Sequence, residues 1–469
     1  MVWPLIPVQM VPPAKNVEGT PRRYGTAPIH RPHGSEYLDV DRKHPYERSV
    51  AVIGSGVSGL VAAYALAARD RVTLFEADPR IGGHAHTHYL DRGDGYTVGV
   101  DSAFLVHNDR TYPTLCRLFD DLGVATQETD MSMSVRDDAS GLEYAGARGI
   151  GGLFPSWSTL TRPRYLLMLA EIKRFHAAAS RLLQTDADET LGAFLDRHGF
   201  SRYFVDHFMT PLVAAVWSCP PGEVLRYPAR YLFVFLEHHG MLSVFGSPAW
   251  RTVVGGSANY VEAILNRIHE VRAGVPVTSV RRVADGVAIT AGATRIFDAA
   301  VIATHPDQAL LMLAEPTAAE RTMLGAIPYC TNHAQLHTDE SVLPRHRRAR
   351  ASWNYLVTQN DDTVLVTYDV TRLMRLGGPR RFLVTLGGRD HVDPATVLAE
   401  MMYSHPMYTP ESVAAQQLLP TLDDDRIAFA GAYHGWGFHE DGAASGLRAA
   451  RRLGARWPTA ARSAEAVAC

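Results

Sequence analysis

Two glycine-rich strings bracket this chain, and each could serve phosphate or cofactor chemistry. The first is Gly54-Ser55-Gly56-Val57-Ser58-Gly59, after the apolar run 49–53 and before the Ala- and Leu-rich stretch 57–69. Glycines at this spacing let a strand turn tightly into a helix. Backbone N–H groups then approach a pyrophosphate, and the helix N-terminus adds its positive dipole end. Glu76 ends the next apolar run, 71–75, where a carboxylate accepts hydrogen bonds from a ribose diol. Strand, glycine string, helix, strand and acid together predict dinucleotide binding. The bland alternative is a tight turn that binds nothing. Ala77-Asp78-Pro79-Arg80-Ile81-Gly82-Gly83-His84 follows at once. Its glycine pair is not required for NAD, and a β-turn explains it equally well.

The second string is Gly431-Ala432-Tyr433-His434-Gly435-Trp436-Gly437-Phe438-His439-Glu440-Asp441-Gly442-Ala443-Ala444, between a strand-like run at 426–431 and a helical run at 443–453. His434 and His439 are the candidate acid–base groups, because imidazole titrates near neutrality. A structural hydrogen bond is the alternative for each. Glu440 and Asp441 read as caps of the closing helix. The cysteines Cys116, Cys219, Cys330 and Cys469 lie far apart with no C-x-x-C pair. No metal site or dithiol is expected.

The elements needed to hold these residues are legible in outline. Residues 49–75 form a βαβ unit, with the β-branched runs of a buried parallel sheet. From about 110 to 235 the pattern is mostly helical, notably at 111–122 and 164–183. Strand-like runs return at 275–277, 287–290, 300–303, 364–367 and 382–385. The expected fold class is α/β. A Rossmann-like, two-dinucleotide-binding domain (48–109, 251–310 and 421–457) is interleaved with a mixed β-sheet and helical substrate domain (110–250 and 311–420). An arm, 1–47, precedes them and a tail, 458–469, follows.

Composition narrows the function classes. A net charge of −3 over 469 residues gives no electrostatic case for nucleic-acid binding. No run of 18 apolar residues predicts a membrane span, and the start makes a poor signal peptide, so the cytosol is the expected location. The run 345–350 holds Arg345, Arg347, Arg348 and Arg350. It reads as a solvated loop. Its functional alternative is a peripheral contact with anionic lipid headgroups, aided by Trp3 and Ile6 of the arm. Lysine occurs only at Lys15, Lys43 and Lys173.

The C-terminal string resembles the flavin-binding motif of the amine oxidase and phytoene desaturase superfamily. The Gly82-Gly83 segment resembles the one that such proteins lay along the FAD pyrophosphate. Residues 298–306 resemble the late strand and turn of the same domain. Over about residues 49–455 the chain is similar to the bacterial NAD(P)/FAD-dependent oxidoreductases linked to cyclopropane-fatty-acyl synthases. Further matching segments include Val100-Asp101-Ser102-Ala103-Phe104, Pro211 to Ser218, Gly255-Gly256-Ser257 and Ser352-Trp353-Asn354-Tyr355.

The resemblance implies FAD as cofactor and a set of residues near it. Ser102, Ala103 and Phe104 stand near the flavin, Val277 and Ala303 in the FAD domain, and Gly431 at the pyrophosphate. The helix that begins at Gly442-Ala443-Ala444 points at the isoalloxazine, and Phe438 stands at the flavin face. Trp217 and Trp353-Asn354-Tyr355 are expected to line the substrate domain. His84 departs from the family's usual Arg, and His107 from an aromatic. The lysine that many amine oxidases place opposite flavin N5 has no counterpart after residue 173.

The expected function is hydride transfer between a substrate C–H bond and flavin N5. Desaturation of a fatty acyl or other apolar chain is its concrete form. The alternatives are a redox-neutral isomerase, an amine or secondary-metabolite oxidase, and an FAD-bound accessory subunit of a lipid methyltransferase. A small-molecule or lipid substrate is the expected partner.

Overall fold

A computed structural model describes residues 48–186, 189–242, 248–357 and 364–458. The expected arm and nearly all of the tail lie outside the described residues.

Five parallel strands form the first sheet, in the order Glu270–Arg272, Arg71–Phe75, Ser49–Ile53, Ala299–Ile302, Ile427–Phe429. Ser49–Ile53 is central and pairs on both sides, Val52 opposite Leu74 and Val301. Its residues from Val50 to Ile53 are buried, as continuous apolar runs in a two-sided sheet require. The helix Val57–Leu66 leaves this strand through Gly54–Gly56 and is buried along its whole length. That explains its apolar composition on every face.

The closing helix, His439–Arg452, packs directly on that opening helix. Small residues make the contact. A Cβ on Gly442 would lie 2.6 Å from Val57 Cγ1, and one on Gly446 would collide with the Ser58 carbonyl oxygen. This helix starts earlier than the sequence pattern suggests, at His439 in place of Ala443. The Asp441 carboxylate caps it by accepting from the Phe438 N–H at 2.9 Å.

The second layer is a seven-stranded mixed sheet, ordered Val397–Pro406, Tyr329–His337, Leu383–Leu386, Val366–Asp369, Trp353–Val357, Met133–Asp137, Leu142–Ala145. Its last two strands come from a region that reads as helical. Met133–Asp137 is recruited by parallel pairing with Trp353–Val357, a partner from a distant part of the chain. Helices Pro163–Leu182, Thr210–Trp217 and Ala229–His238 contribute to the core against this sheet. Phe175 is its fully buried centre, ringed by Phe194, Phe204 and Phe233.

The expected strand at 275–277 does not form. Pro276 removes a donor there. The segment carries no regular structure, and the Val275 N–H donates to the Glu76 carbonyl at 2.8 Å.

Candidate active site

The carboxyl ends of the parallel strands open on a cavity of about 820 Å³ that continues to the mixed sheet. In open parallel sheets this is where ligands bind.

The cradle is built from backbone. Gly54 sits at φ +97°, and a Cβ there would approach the Ala303 carbonyl oxygen to 2.7 Å. A Cβ on Gly59 would collide with the Gly54 carbonyl oxygen. At Gly56 a Cβ would meet nothing within 4 Å, so this position faces open space. Gly56 begins the opening helix with no side-chain cap. The first N–H groups of that helix are therefore left for a ligand. The second glycine pair closes on the same loop. Gly82 N–H donates to Ser55 Oγ at 3.0 Å, and a Cβ on Gly83 would lie 2.9 Å from Gly56 Cα. Glu76 Oε2 accepts from the Ser55 N–H at 2.8 Å and its hydroxyl at 2.6 Å, which fixes the carboxylate on the cavity wall.

Gly54, Ser55, Gly56, Val57, Ser58, Glu76, Ala77, Gly83, His84, Ser102, Ala103, Phe104, Val277, Ala303, Gly431, Ala432, Phe438 and His439 all line the cavity. Gly59, Gly82, Gly442 and Ala443 stand behind the wall as packing positions, and Ala444 is exposed. His434 also lies outside the wall. Its ring packs on Tyr433, and Arg448 Nη2 sits 3.2 Å from its Nδ1. Burial and that guanidinium hold it neutral, so the structure removes it from the acid–base candidates.

His439 lines the cavity but is committed elsewhere. Its ring stacks on Phe104 at 3.8 Å, and its Nε2 lies 2.9 Å from the Tyr260 hydroxyl. Burial lowers its pKa to about 3. It therefore acts as a neutral wall. Glu440 caps a different helix from the one expected. It accepts from the Thr114 and Leu115 N–H groups at 2.9 and 3.0 Å, at the start of Pro113–Leu122.

The sequence reading missed a polar cluster on the opposite wall. Tyr403 and His405, on the long strand Val397–Pro406, face His84, with ring centroids 5.0 and 5.2 Å from its ring. The only sequence signal was the Tyr-Ser-His alternation, which places 403 and 405 on one face of a strand. The Tyr403 hydroxyl lies 2.7 Å from Ser102 Oγ and 2.9 Å from His86 Nδ1. Ser102 Oγ lies 3.0 Å from His88 Nε2. Ser102 and Tyr403 line the cavity, whereas His86 and His88 are half-buried behind it. Two hydroxyls thus connect the cavity to two imidazoles nearer the surface.

Beyond the cradle the wall is aromatic and apolar. Phe438 stacks on Phe235 at 4.9 Å and meets Trp217 edge-on at 6.3 Å. Trp217 Nε1 donates to the Trp436 carbonyl at 3.0 Å. Met131, Met133, Leu212 and Trp353 complete this part. Asn354 and Tyr355 lie elsewhere in the sheet, where Asn354 receives the Ser134 hydroxyl.

The cavity fits a flavin dinucleotide. It offers a side-chain-free loop at a helix N-terminus and a fixed carboxylate. Four buried polar atoms in its lining residues also lack a protein partner: His84 Nε2, Trp353 Nε1, the Tyr433 hydroxyl and Trp436 Nε1. Buried groups of this kind call for a ligand.

Comparison with known proteins agrees. The family model of flavin containing amine oxidoreductases matches residues 57–355 and 394–454. Protoporphyrinogen oxidase 2 of Arabidopsis thaliana is 29% identical over 186 residues, 38% of this chain and 34% of that protein. The match thus spans about a third of that relative's length. Among solved structures, cyclohexylamine oxidase from Brevibacterium oxydans IH-35A superposes with a TM-score of 0.63 at 17% identity, covering 87% of this chain and 98% of its own. A CLA-producing fatty acid isomerase from P. acnes superposes with a TM-score of 0.61 at 15% identity, covering 85% and 97%. At such identity these two show a shared fold. With most of its length matched by the family model, the chain belongs to the flavin-containing amine oxidoreductases, as an FAD-dependent oxidoreductase.

Proposed function

We propose that this enzyme transfers a hydride between a C–H bond of a neutral, apolar substrate and the flavin, and that a fatty acyl chain is the substrate class. One observation carries this reading. Glu76, at the nucleotide end, is the one Asp, Glu, Lys or Arg among the described residues that line the cavity. A polyamine would find no second carboxylate, and an amino acid or a porphyrin carboxylate no guanidinium. Burying such charges unpaired costs several kcal/mol each. Trp217, Phe235, Phe438, Met131 and Met133 offer an alkyl chain the contact it needs.

The bound FAD supplies the hydride acceptor. The chain's residues do the rest. The glycine loop and Glu76 anchor the nucleotide. Phe104, stacked on His439, and Phe438, stacked on Phe235, form rigid aromatic walls that exclude water and hold the chain against the flavin. Ser102 and Tyr403 give a released proton a route away from the cavity. Among the described residues no lysine lines the wall, which weighs against the lysine-assisted amine oxidation that the resemblance raised.

The test is an anaerobic titration of the purified enzyme with phospholipid bearing unsaturated or methylated chains. Loss of the oxidised-flavin absorption band supports the reading. An intact band together with bleaching by a soluble amine overturns it. A redox-neutral isomerase is the second reading, favoured by the same uncharged wall. It predicts a double-bond shift in the lipid product with the flavin oxidised at the start and the end.

A further inference from the structure

Among the described residues, 14 large apolar side chains are exposed, and five of them fall between 150 and 167. These are Ile150, Trp157, Leu160, Leu166 and Leu167. Trp157 is 86% and Ile150 71% exposed. Clustering at this density is not the scattered exposure of an ordinary surface. The segments that carry them pack together. The Tyr165 hydroxyl donates to the Leu153 carbonyl at 2.8 Å, and its ring meets Phe154 at 6.0 Å. The helix Gly149–Leu153 is thereby fixed on the start of Pro163–Leu182. The basic turn Arg347–Ala349 lies against the same short helix, with Arg348 Cδ 3.8 Å from where a Gly151 Cβ would stand.

The two segments that build this face are rich in arginine. Residues 145–170 contain Arg148, Arg162 and Arg164 and no Asp or Glu, and residues 343–351 contain four arginines and no acid. Arg148 pairs with Asp130, Arg345 with Asp138 and Arg350 with Glu340. Arg162, Arg164, Arg347 and Arg348 form no ion pair among the described residues.

We infer that this face, built around Ile150, Trp157, Leu160 and Leu167 and flanked by Arg164, Arg347 and Arg348, docks the protein on an anionic lipid bilayer. Trp and Leu suit the boundary between headgroups and acyl chains, and unpaired arginines suit anionic headgroups. The face also adjoins the cavity. Ala147 lines the cavity and Ile150 is exposed, so only two residues, and about 11 Å of chain at most, separate wall from surface. The inference rests on the exposed surface and does not depend on the substrate assigned above.

The experiment is co-sedimentation of the flavin-loaded full chain with vesicles of phosphatidylcholine, with and without an equal part of phosphatidylglycerol. Two variants accompany it: Ile150→Ser with Trp157→Ser, and Arg347→Glu with Arg348→Glu. The wild type is expected on the anionic vesicles only, and added salt should release it. Each variant should bind about tenfold or more weakly, with the flavin spectrum and thermal midpoint unchanged. Three results overturn the inference. One is a wild type that ignores anionic vesicles. Another is variants that bind as the wild type does. The last is a self-association that the apolar variant abolishes, which would assign the face to a second copy of the chain.

Discussion

Asp441 shows how little a residue's type says about its charge. Burial pushes its pKa up to about 7, against the hydrogen bonds from the Phe438 and Trp436 backbone. A folded pKa above the unfolded one means the folded chain holds the proton more tightly. The group therefore favours folding at low pH, and that contribution is lost as pH rises from about 4 to about 7. Asp441→Asn keeps an acceptor and removes the buried charge. It should stabilise the protein at pH 8 by on the order of 1–4 kcal/mol, and clearly less at pH 5, near the foot of that window. Thermal midpoints at the two pH values check this. At Tyr403 the expectation concerns turnover. Tyr403→Phe breaks the hydroxyl chain between Ser102 and His86. A fall in kcat of about tenfold or more is expected with flavin content intact. An unchanged kcat would show that protons leave by another path. His439→Gln should leave the pH profile of kcat/KM unaltered between pH 5 and 9, because His439 is neutral throughout that range.

The two helices that pack on each other, Val57–Leu66 and His439–Arg452, separate binding from packing. Gly56 has φ −61°, open to any residue, and a Cβ there would meet nothing. Gly56→Ala should therefore fold with an unchanged apoprotein midpoint, while flavin retention weakens at least about tenfold, or about 1.4 kcal/mol. Gly446→Ala forces a methyl group into the Ser58 carbonyl oxygen at the helix–helix contact. Overpacking of that kind costs about 1–3 kcal/mol, so the midpoint itself should fall. A flavin spectrum and a melting curve on each variant tell the two effects apart. The opening βαβ unit was legible because neighbours in sequence make it: Gly54, Gly59 and Glu76 belong to one short, continuous stretch. The role of Glu440 was not legible. Its partners, the N–H groups of Thr114 and Leu115, belong to a helix near the other end of the chain.

At the scale of the whole molecule, buried neutral histidines set the acid limit. Burial lowers His86 and His439 to about 3, and His107, His176, His239, His337 and His405 to about 4. In the unfolded chain each takes up a proton near 6.5. Each therefore withdraws stability as pH falls from about 6.5 toward 4. Asp441 and Asp101, the latter raised to about 6, act in the opposite direction. His84, His88, His305 and His434 are lowered as well, and Asp423 and Glu440 are raised, so the lowered histidines outnumber the raised carboxyls and predict a midpoint that falls between pH 7 and pH 4.5. Circular dichroism melts across that range would show it, and a midpoint that rises on acidification would contradict it.

The sequence by itself determined the α/β class and the opening βαβ unit, and its resemblance to a flavoprotein superfamily pointed to FAD. The first two depend on local order: a glycine string between a strand and a helix, and an acid one strand later. Tertiary structure decided which residues face the reaction. It turned His434 onto Arg448 and away from the cavity. It placed His439 against Tyr260 and brought Tyr403 and His405, on the strand Val397–Pro406, to His84. Among the described residues it also left the wall beyond Glu76 without Asp, Glu, Lys or Arg. Spacing along the chain cannot give these outcomes. They follow from how two sheets and their helices pack, and from what burial then does to each polar group.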